Sequence, residues 1–579
     1  MPNYLVKGEI GKEADKELEK YPELLRKLLF YRGIKTAKDA ETFLNPIFEE
    51  NFDPYLMKGM NEAVERIFQA VEKNEKIIIF SDYDSDGIPG AVLLHDFFKK
   101  IEFKNFENYI PHRILEGFGL NPEAIDEFAK KGVNLIITID CGTANIEEAK
   151  KIKKLGINLL IIDHHLPSIS LSKKEELPEA VAVLNPKQSN CKYPDKNLCA
   201  CGLAFKLVQA LIKKHKNKWN IKDGWEKWLL DMVGVATISD MVPLLGENRI
   251  FAYYGLKVLK KSPRLGLQKL FNLIKIDQKN ITEDDISFMI SPRINAASRM
   301  GKPEDAFNLL VTKDEIEADI YARHLNKIND ERKGVVASMV KEIKKHWKKI
   351  DPEKIKKVLV AGNPDWKPSL LGLVASSLMD DHDGPVFLWG REEGKTLKGS
   401  CRSDGCVDIV QMMRESSDLF LEYGGHSASG GFTVAFEKID LLSPQLEIVY
   451  EKLKLTNLSR EQSEAVRADA VLSLDDVNGD LEKQISELSP FGIGNSKPIF
   501  AFRNVEISNV RIFGKKNEHL QIDFKNSRGE KISAIGFFKK PEDFLTKIAV
   551  GEKINLLASI EKSFFGGRGE LRLRIVDIF

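Results

Sequence analysis

Three carboxylates stand at alternating positions in Ser81-Asp82-Tyr83-Asp84-Ser85-Asp86-Gly87, directly after the apolar run Ile77–Phe80. Acids this close repel one another, and their pKa values rise unless cations neutralise them. An EF-hand calcium loop also begins with alternating aspartates and a glycine, but it needs a glutamate at its twelfth position and flanking helices. Counting from Asp82, that position is Leu93, and a strand-like run precedes the loop. Calcium of that kind is excluded. Two further apolar runs end in the same chemistry: Leu135–Ile139 in Asp140-Cys141-Gly142, and Leu159–Ile162 in Asp163-His164-His165. Any one of these is compatible with a capped strand end or a structural histidine pair. Together they form one hard, oxygen-rich, imidazole-bearing cluster suited to Mn2+ or Mg2+, with Zn2+ disfavoured for want of thiolates. Asp240, in GVATISDMVPL, is a fourth acid able to complete the cage, although an aspartate before a proline-containing turn is commonplace by itself.

The elements that must position these groups are short. IIIF (77–80), LIITI (135–139), LLII (159–162) and AVAVL (180–184) are β-branched runs, and helical stretches such as 91–100 and 145–155 separate the first three. Such alternation predicts a parallel sheet covered on both faces, with ligands beyond the carboxyl ends of its strands. Residues 14–72 read as short helices with turns at Asn45-Pro46 and Asp53-Pro54. A charge-laced helix is expected from about Asp314 to Lys349, interrupted only by Gly334, and then a second α/β unit with strands near 358–362 and 385–389 and a glycine-rich turn at 423–432. After a polar stretch around Asn457–Arg467, alternating strands from 499–513 to 570–578 suit a small β-barrel such as an OB-fold. The expected class is α/β: a parallel-sheet unit and a second α/β unit joined by a long helix, with a C-terminal β-barrel. The expected divisions are 1–60 (helical segment), 61–310, 311–352 (linking helix), 353–455 and 460–579.

A chain of 579 residues is too long for one core, and 43% hydrophobic with 30% charged residues is ordinary for folded, soluble domains. No apolar run reaches membrane-span length and the N-terminus lacks a signal-peptide core, so the expectation is cytoplasmic, with no membrane partner. Cys191, Cys199 and Cys201 lack a CxxC pair and a nearby histidine, so reduced structural thiols are expected rather than a zinc site. A net charge of +1 gives no argument for nucleic acid, although residues 501–579 hold fifteen Lys/Arg against ten Asp/Glu. That excess suits either a phosphate-tracking surface or a plain solvated one.

SDYDSDG, TIDCG, IDHH and ISDMVPL, in that order, resemble the four motifs of the DHH phosphoesterase family. YIPHRILEGFGLN (109–121), SPRINAASRMG (291–301), GSCRS (399–403), YGGHSASGG (423–431), SPFGIGNSKPIF (489–500) and LLFYRGIKTAKDAETFLNP (28–46) narrow the resemblance to that family's 5′→3′ exonucleases specific for single-stranded DNA. The likeness covers nearly the whole chain. It implies a DHH catalytic domain, a linking helix, a DHHA1 domain and an OB-fold around a narrow DNA path, acting in DNA repair and recombination.

By position, the resemblance implies that Asp84 and Asp140 hold one metal with Asp82 near it, and that Asp86, Asp140, His164 and Asp240 hold the other. Two cations roughly 3.5–4 Å apart activate a water and stabilise the leaving oxygen. His165 would touch the scissile phosphate, and Asp163 would orient the histidine pair. Arg113, Arg293 and Arg299 would clamp phosphate, Ser400 and Arg402 would receive the 5′ end, and His426, in the glycine-rich segment, would join them in binding the DNA. Phe513, Phe537 and Phe564 are candidate stacking residues, each equally at home in a core. Single-stranded DNA is the expected partner, with a single-strand-binding protein or a helicase beside it, and the chain is expected to be a monomer. Pro89, Ser377 and the segment WKPSLLG (366–372), with Lys367, depart from the family pattern without removing a ligand. The rival readings are a DHH oligoribonuclease or nucleotide phosphodiesterase, generally shorter, and an inactive replication scaffold, which the intact ligand set opposes.

Overall fold

Five strands lie side by side in the order Phe106–Tyr109, Ile77–Ser81, Leu135–Ile139, Asn158–Ile162, Ala182–Leu184, and every neighbouring pair is parallel. The computed structural model describes residues 4–169, 174–347, 356–379, 381–391, 396–457, 466–514, 517–563 and 569–579. Successive residues of a strand face opposite sides of its sheet. Ile77, Ile79, Ile137 and Ile162 accordingly join a large core with Val64, Val92 and Phe205, whereas Ile78, Phe80, Ile136 and Ile161 pack against Ile125, Phe128 and Ile152. Burial on both faces is why these strands read as unbroken apolar runs. The edge strand Phe106–Tyr109 is half-buried and polar, so no such run announces it.

The sheet ladder runs one residue past three of the strands. Asp82 N donates to the Ile139 carbonyl at 3.0 Å, Asp140 N to Ile162 at 2.9 Å and Asp163 N to Leu184 at 3.2 Å. Three acids are thereby lined up along one edge of the sheet. The turn after Asp140 is tight: Asp140 has φ 63° and Gly142 φ 114°. A Cβ on Gly142 would stand 2.7 Å from Thr138 Oγ1, so only glycine fits.

The helix Glu315–Trp347 spans two cores, with Ala322, Leu325 and Ile328 in the first and Met339 and Ile343 in the second. Residues 348–352 of the expected linking segment lie outside the described residues. The second unit has a mixed sheet ordered Phe420–His426, Ser429–Ala435, Thr396–Arg402, Val386–Arg391, Leu359–Gly362, in which only the last two strands are parallel. Residues 423–432, read from sequence as a turn, belong to a hairpin in which Gly424 pairs with Gly431 and Gly425 with Gly430. Glycine weakens strand signals, but pairing to Thr396–Arg402 supplies what local propensity lacks.

Seven strands form the C-terminal sheet, ordered Ala470–Leu472, Phe500–Glu506, Lys553–Ser563, Glu570–Ile578, Lys531–Phe537, His519–Lys525, Asn509–Phe513. The N-terminal helices belong to its core: Leu18, Leu25, Leu28 and Leu29 pack with Phe500, Phe502, Leu520 and Ile522, and Tyr4–Val6 pairs in parallel with Val466–Ala468. Arg249 ties this body to the first unit, donating to the carbonyls of Phe43 (2.8 Å) and Ser489 (3.0 Å). All six cysteines are free, and Cys191, Cys199 and Cys201 are buried in the large core. Among the described residues no helix is long and apolar enough to cross a membrane.

Candidate metal centre

Three groups of side chains have ligand atoms within 4.8 Å of one another: Asp82, Asp84 and Asp140; Asp86, His164 and Asp240; and Asp140, His164 and His165. Asp140 Oδ1 is 3.3 Å from His164 Nε2, whose ring reaches Asp240 Oδ2 from Nδ1 at 3.6 Å. Asp86 Oδ2 stands 3.9 Å from the same Nε2. Asp140 therefore sits between the first acidic group and His164, the place a bridging ligand must occupy.

Two of the grouped acids are held by backbone amides. Asp84 Oδ1 accepts from Asp86 N (2.8 Å) and Gly87 N (3.1 Å), at the start of helix Gly87–Lys100. The Asp86 carboxylate accepts from Ala200 N (2.7 Å) and Cys201 N (2.8 Å), the free amides of a second helix, Ala200–His215. Asp240 closes helix Leu230–Ser239. Asp163 Oδ1 accepts from His164 N (2.7 Å), His165 N (3.1 Å) and His165 Nδ1 (2.7 Å), and its Oδ2 accepts from Thr143 N (2.9 Å). That carboxylate orients the histidines and is not one of the grouped ligands.

Electrostatics separates the two kinds of acid. Burial, then the neighbouring Asp84 charge, pushes Asp86 up to about 7. Burial and adjacent acids also hold Asp82, Asp140 and Asp240 well above the ordinary carboxylate range. Burial would raise Asp163 too, but its bond to His165 and the Thr143 amide outweigh it and hold it low. Burial with the neighbouring His165 charge brings His164 down to about 4, a neutral ring free to ligate. Burial opposes the His165 cation, and the Asp163 carboxylate overcomes it, so His165 lies above its ordinary value. Asp82 Oδ1, Asp140 Oδ1, His164 Nδ1 and Asp240 Oδ2 are buried without a hydrogen-bond partner among the described residues. Buried polar atoms are rarely left so. Four orphaned lone pairs converging from three strand ends and a helix end fit hard divalent cations.

Guanidiniums gather beside the acids. Arg113 lies 4.8 Å over the Tyr83 ring. Burial, then the positive charges of Arg113 and Arg332, brings Arg299 down to about 9, and Arg402 adds to that field. Arg402 Nη1 donates to the Cys401 carbonyl (2.7 Å) and to Ser400 Oγ (3.3 Å). His426, on the second unit, is lowered by burial and by the charges of His165 and Lys187. Arg293 stands at the margin of this group, close enough for the Arg332 charge to act on it. It is buried, and its guanidinium donates to Asn326 Oδ1 (3.0 Å) and the Met289 carbonyl (2.6 Å), fastening its helix to the long one.

Residues 76–237 match the model of the DHH family, N-terminal domain, and residues 468–577 that of the RecJ OB domain. The single-stranded-DNA-specific exonuclease RecJ of Bacillus subtilis is 33% identical over 558 residues, 96% of this chain and 67% of that protein. The chain belongs to the RecJ family. RecJ from Thermus thermophilus, crystallised with Mn2+, shares the fold with a TM-score of 0.78 at 24% identity, covering 100% of this chain and 79% of that one. A manganese-bound exonuclease RecJ has a TM-score of 0.59 at 28% identity, covering 70% and 98% respectively.

None of the departures from the RecJ family pattern is itself one of the grouped ligands. Pro89 lies in the first turn of helix Gly87–Lys100, three residues after Asp86, between Ile88 and Gly90, whose amides donate to the Asp84 and Asp86 carbonyls (3.0 Å each), and its fixed φ suits that turn. Ser377 is exposed and donates to the Leu373 carbonyl (3.0 Å), and Lys367 precedes helix Pro368–Leu378 as its cap. Sequence reasoning missed four residues around the centre. Asn295 Oδ1 accepts from Ser85 N (2.9 Å), Asn185 anchors the His165 carbonyl (2.8 Å), Arg332 reaches the arginine group from the long helix, and Lys187 stands by Asp240. Arg332 is one basic residue in a charge-laced helix and carries no local signal. Asn185 and Lys187 follow a strand end on the ligand-binding edge, a signal that was available.

Proposed function

We propose that this chain degrades single-stranded DNA from its 5′ end, as a two-metal-dependent exonuclease acting in DNA repair and recombination. The observation that carries the reading is the juxtaposition of orphaned carboxylate and imidazole atoms with an arginine group gathered beside them. Asp82, Asp84 and Asp140 would hold one divalent ion, and Asp86, Asp140, His164 and Asp240 the other; the Thermus relative is crystallised with Mn2+ and with Mg2+. Bound there, such ions supply an activated water and charge for the leaving oxygen. The chain's own groups do the rest. Arg113, Arg299, Arg402 and Ser400 anchor a 5′-terminal phosphate and set the next phosphodiester over the acids. His165 keeps a proton on Nδ1 toward Asp163, and its other nitrogen, protonated, donates to a phosphate oxygen.

The working parts are a catalytic unit over 61–310, the helix that follows it, a second unit over 353–455 that supplies Ser400, Arg402 and His426, and a strand-binding unit over 460–579. In the last, Phe513, His519 and Phe537 cluster, with centroids of 5.1 Å and 5.2 Å from His519, and Arg574 lies 4.0 Å over Phe537. That is an aromatic and cationic surface on which bases can stack. Phe564 lies outside the described residues. Because one copy contributes every group named, a monomer is sufficient. Cytoplasmic DNA is the substrate, delivered by a helicase or held by a single-strand-binding protein.

The test is digestion of end-labelled single- and double-stranded DNA and RNA with Mn2+. Shortening of single-stranded DNA from its 5′ end is expected, and Asp140→Asn should abolish it. Asparagine tolerates the left-handed backbone at this position, so the fold survives. Digestion from a free 3′ end, or preference for short RNA, would favour an oligoribonuclease.

A further inference from the structure

Asn185 is fully buried between the loops that carry the centre. Its Nδ2 donates to the His165 carbonyl (2.8 Å) and Thr143 Oγ1 (3.2 Å), and its Oδ1 accepts from Lys187 N (2.9 Å). Thr143 N in turn holds Asp163 (2.9 Å). The backbone of Lys187 is thus fastened to the same network that orients the two histidines. The residue follows the last parallel strand, Ala182–Leu184, on the edge from which Asp82, Asp140 and Asp163 emerge. Its side chain is half-buried, and among the described residues its ammonium makes no hydrogen bond and no ion pair within 4.0 Å. The charges of Asp240 and Asp163 act on it, and its own charge acts on His426 of the second unit. Neither acid bonds it, so the ammonium keeps its donors for a further anion.

Positive charge therefore flanks the acidic cluster twice. In the sheet order, Arg113 follows the strand Phe106–Tyr109 at one end and Lys187 follows Ala182–Leu184 at the other, with the strands that end in Asp82, Asp140 and His164 between them; the charges of Arg113, Arg332 and Arg402 act together on Arg299. A single strand whose terminal phosphate sits among the arginines, with its scissile phosphate over the acids, must carry its next phosphate to the opposite flank. We propose that Lys187 binds the phosphodiester immediately downstream of the scissile bond, with Asn185 as its positioning residue. This rests on the 5′-end reading above. Lys187 then registers the strand, so that the bond over the acids is the first one from the terminus. The proposal also accounts for the loop Asn185-Pro186-Lys187: a rigid proline between an anchored asparagine and a free ammonium places the charge without further contacts.

A 5′-phosphorylated dinucleotide contains the terminal and scissile phosphates but no downstream one, whereas a trinucleotide contains all three. With the full chain and Mn2+, Lys187→Ala should raise KM for trinucleotide and longer DNA about tenfold more than for dinucleotide, the order expected from removing a charge-assisted hydrogen bond. The fall in affinity with salt should flatten by roughly 0.7 in log–log slope, as for one lost phosphate contact on a single strand. Lys187→Arg should recover most of the difference. A loss of equal size on dinucleotide and trinucleotide, or no loss on either, overturns the assignment. Failure of the underlying reading shows separately, as wild-type digestion from the 3′ end without any Lys187 variant.

Discussion

Arg299 and Ser369 grip each other between the two α/β units: Arg299 Nη1 donates to the Ser369 carbonyl at 2.7 Å, and Ser369 Oγ donates to the Arg299 carbonyl at 3.0 Å. Ser369 lies in WKPSLLG, the segment that departs from the family pattern, and Trp366 of the same segment donates to Glu342 of the long helix at 3.2 Å. The departures leave intact a contact that sets the arginine against the opposite unit. Ser369→Ala removes one of the two bonds, worth about 1 kcal/mol. A fall of about fivefold in kcat/KM on single-stranded DNA is expected, with Mn2+ affinity by titration unchanged.

Gly372 leaves the space that Arg402 occupies. A Cβ there would stand 2.7 Å from Arg402 Nη2 and 3.1 Å from Ser400 Oγ. Gly372→Ala should therefore displace the guanidinium while favouring the helix itself. The preference for 5′-phosphorylated over 5′-hydroxyl strands, measured as a ratio of rates, should collapse as it does in Arg402→Ala. Thermal stability should hold or rise slightly. Retention of the preference in both variants would remove Arg402 from the 5′-end site.

The raised acids make the metal-free protein sensitive to pH. Asp86 moves from an ordinary value of 3.8 up to about 7, so in that window the folded state holds more protons than the unfolded one. Its stabilising contribution is complete below about pH 4 and is lost as pH climbs through 7. Without metal, the melting temperature should fall between pH 5 and pH 7.5, against the trend expected of ordinary salt-bridged carboxylates. Cations neutralise the cluster, so the rise in Tm on adding Mn2+ should be larger at pH 7.5 than at pH 5. Equal increments at both would contradict the buried-acid account.

The C-terminal unit calls for point changes rather than deletion. Removing residues from about 460 onward would take away Val466–Ala468, which pairs with Tyr4–Val6, and strip Leu25, Leu28 and Leu29 of their core. Phe537 is half-buried and lies under Arg574, so truncating it opens little core. Phe537→Ala should weaken binding of single-stranded DNA about tenfold, as loss of one stacked base does. Dinucleotide hydrolysis should change far less. Unchanged affinity would assign the aromatic cluster to packing.

The local chemistry was legible because it sits at strand ends. Apolar runs buried on both faces are conspicuous, and an acid that follows one has nowhere to go but the sheet's carboxyl edge, so Asp82, Asp140 and Asp163 could be named before any fold was known. The long helix and the alternating C-terminal strands were equally plain from their periods. Tertiary structure alone decided what depended on partners distant in sequence. It turned a glycine-rich stretch into a hairpin by pairing it with Thr396–Arg402, and it laid the N-terminal leucines on a sheet from the opposite end of the sequence. Arg293 and Arg332 look alike in sequence, yet one is engaged by Asn326 and the other reaches the arginine group beside the acids. A side chain's role follows from which groups packing brings to it. Spacing along the chain records that only where a regular element, such as a strand end, fixes direction.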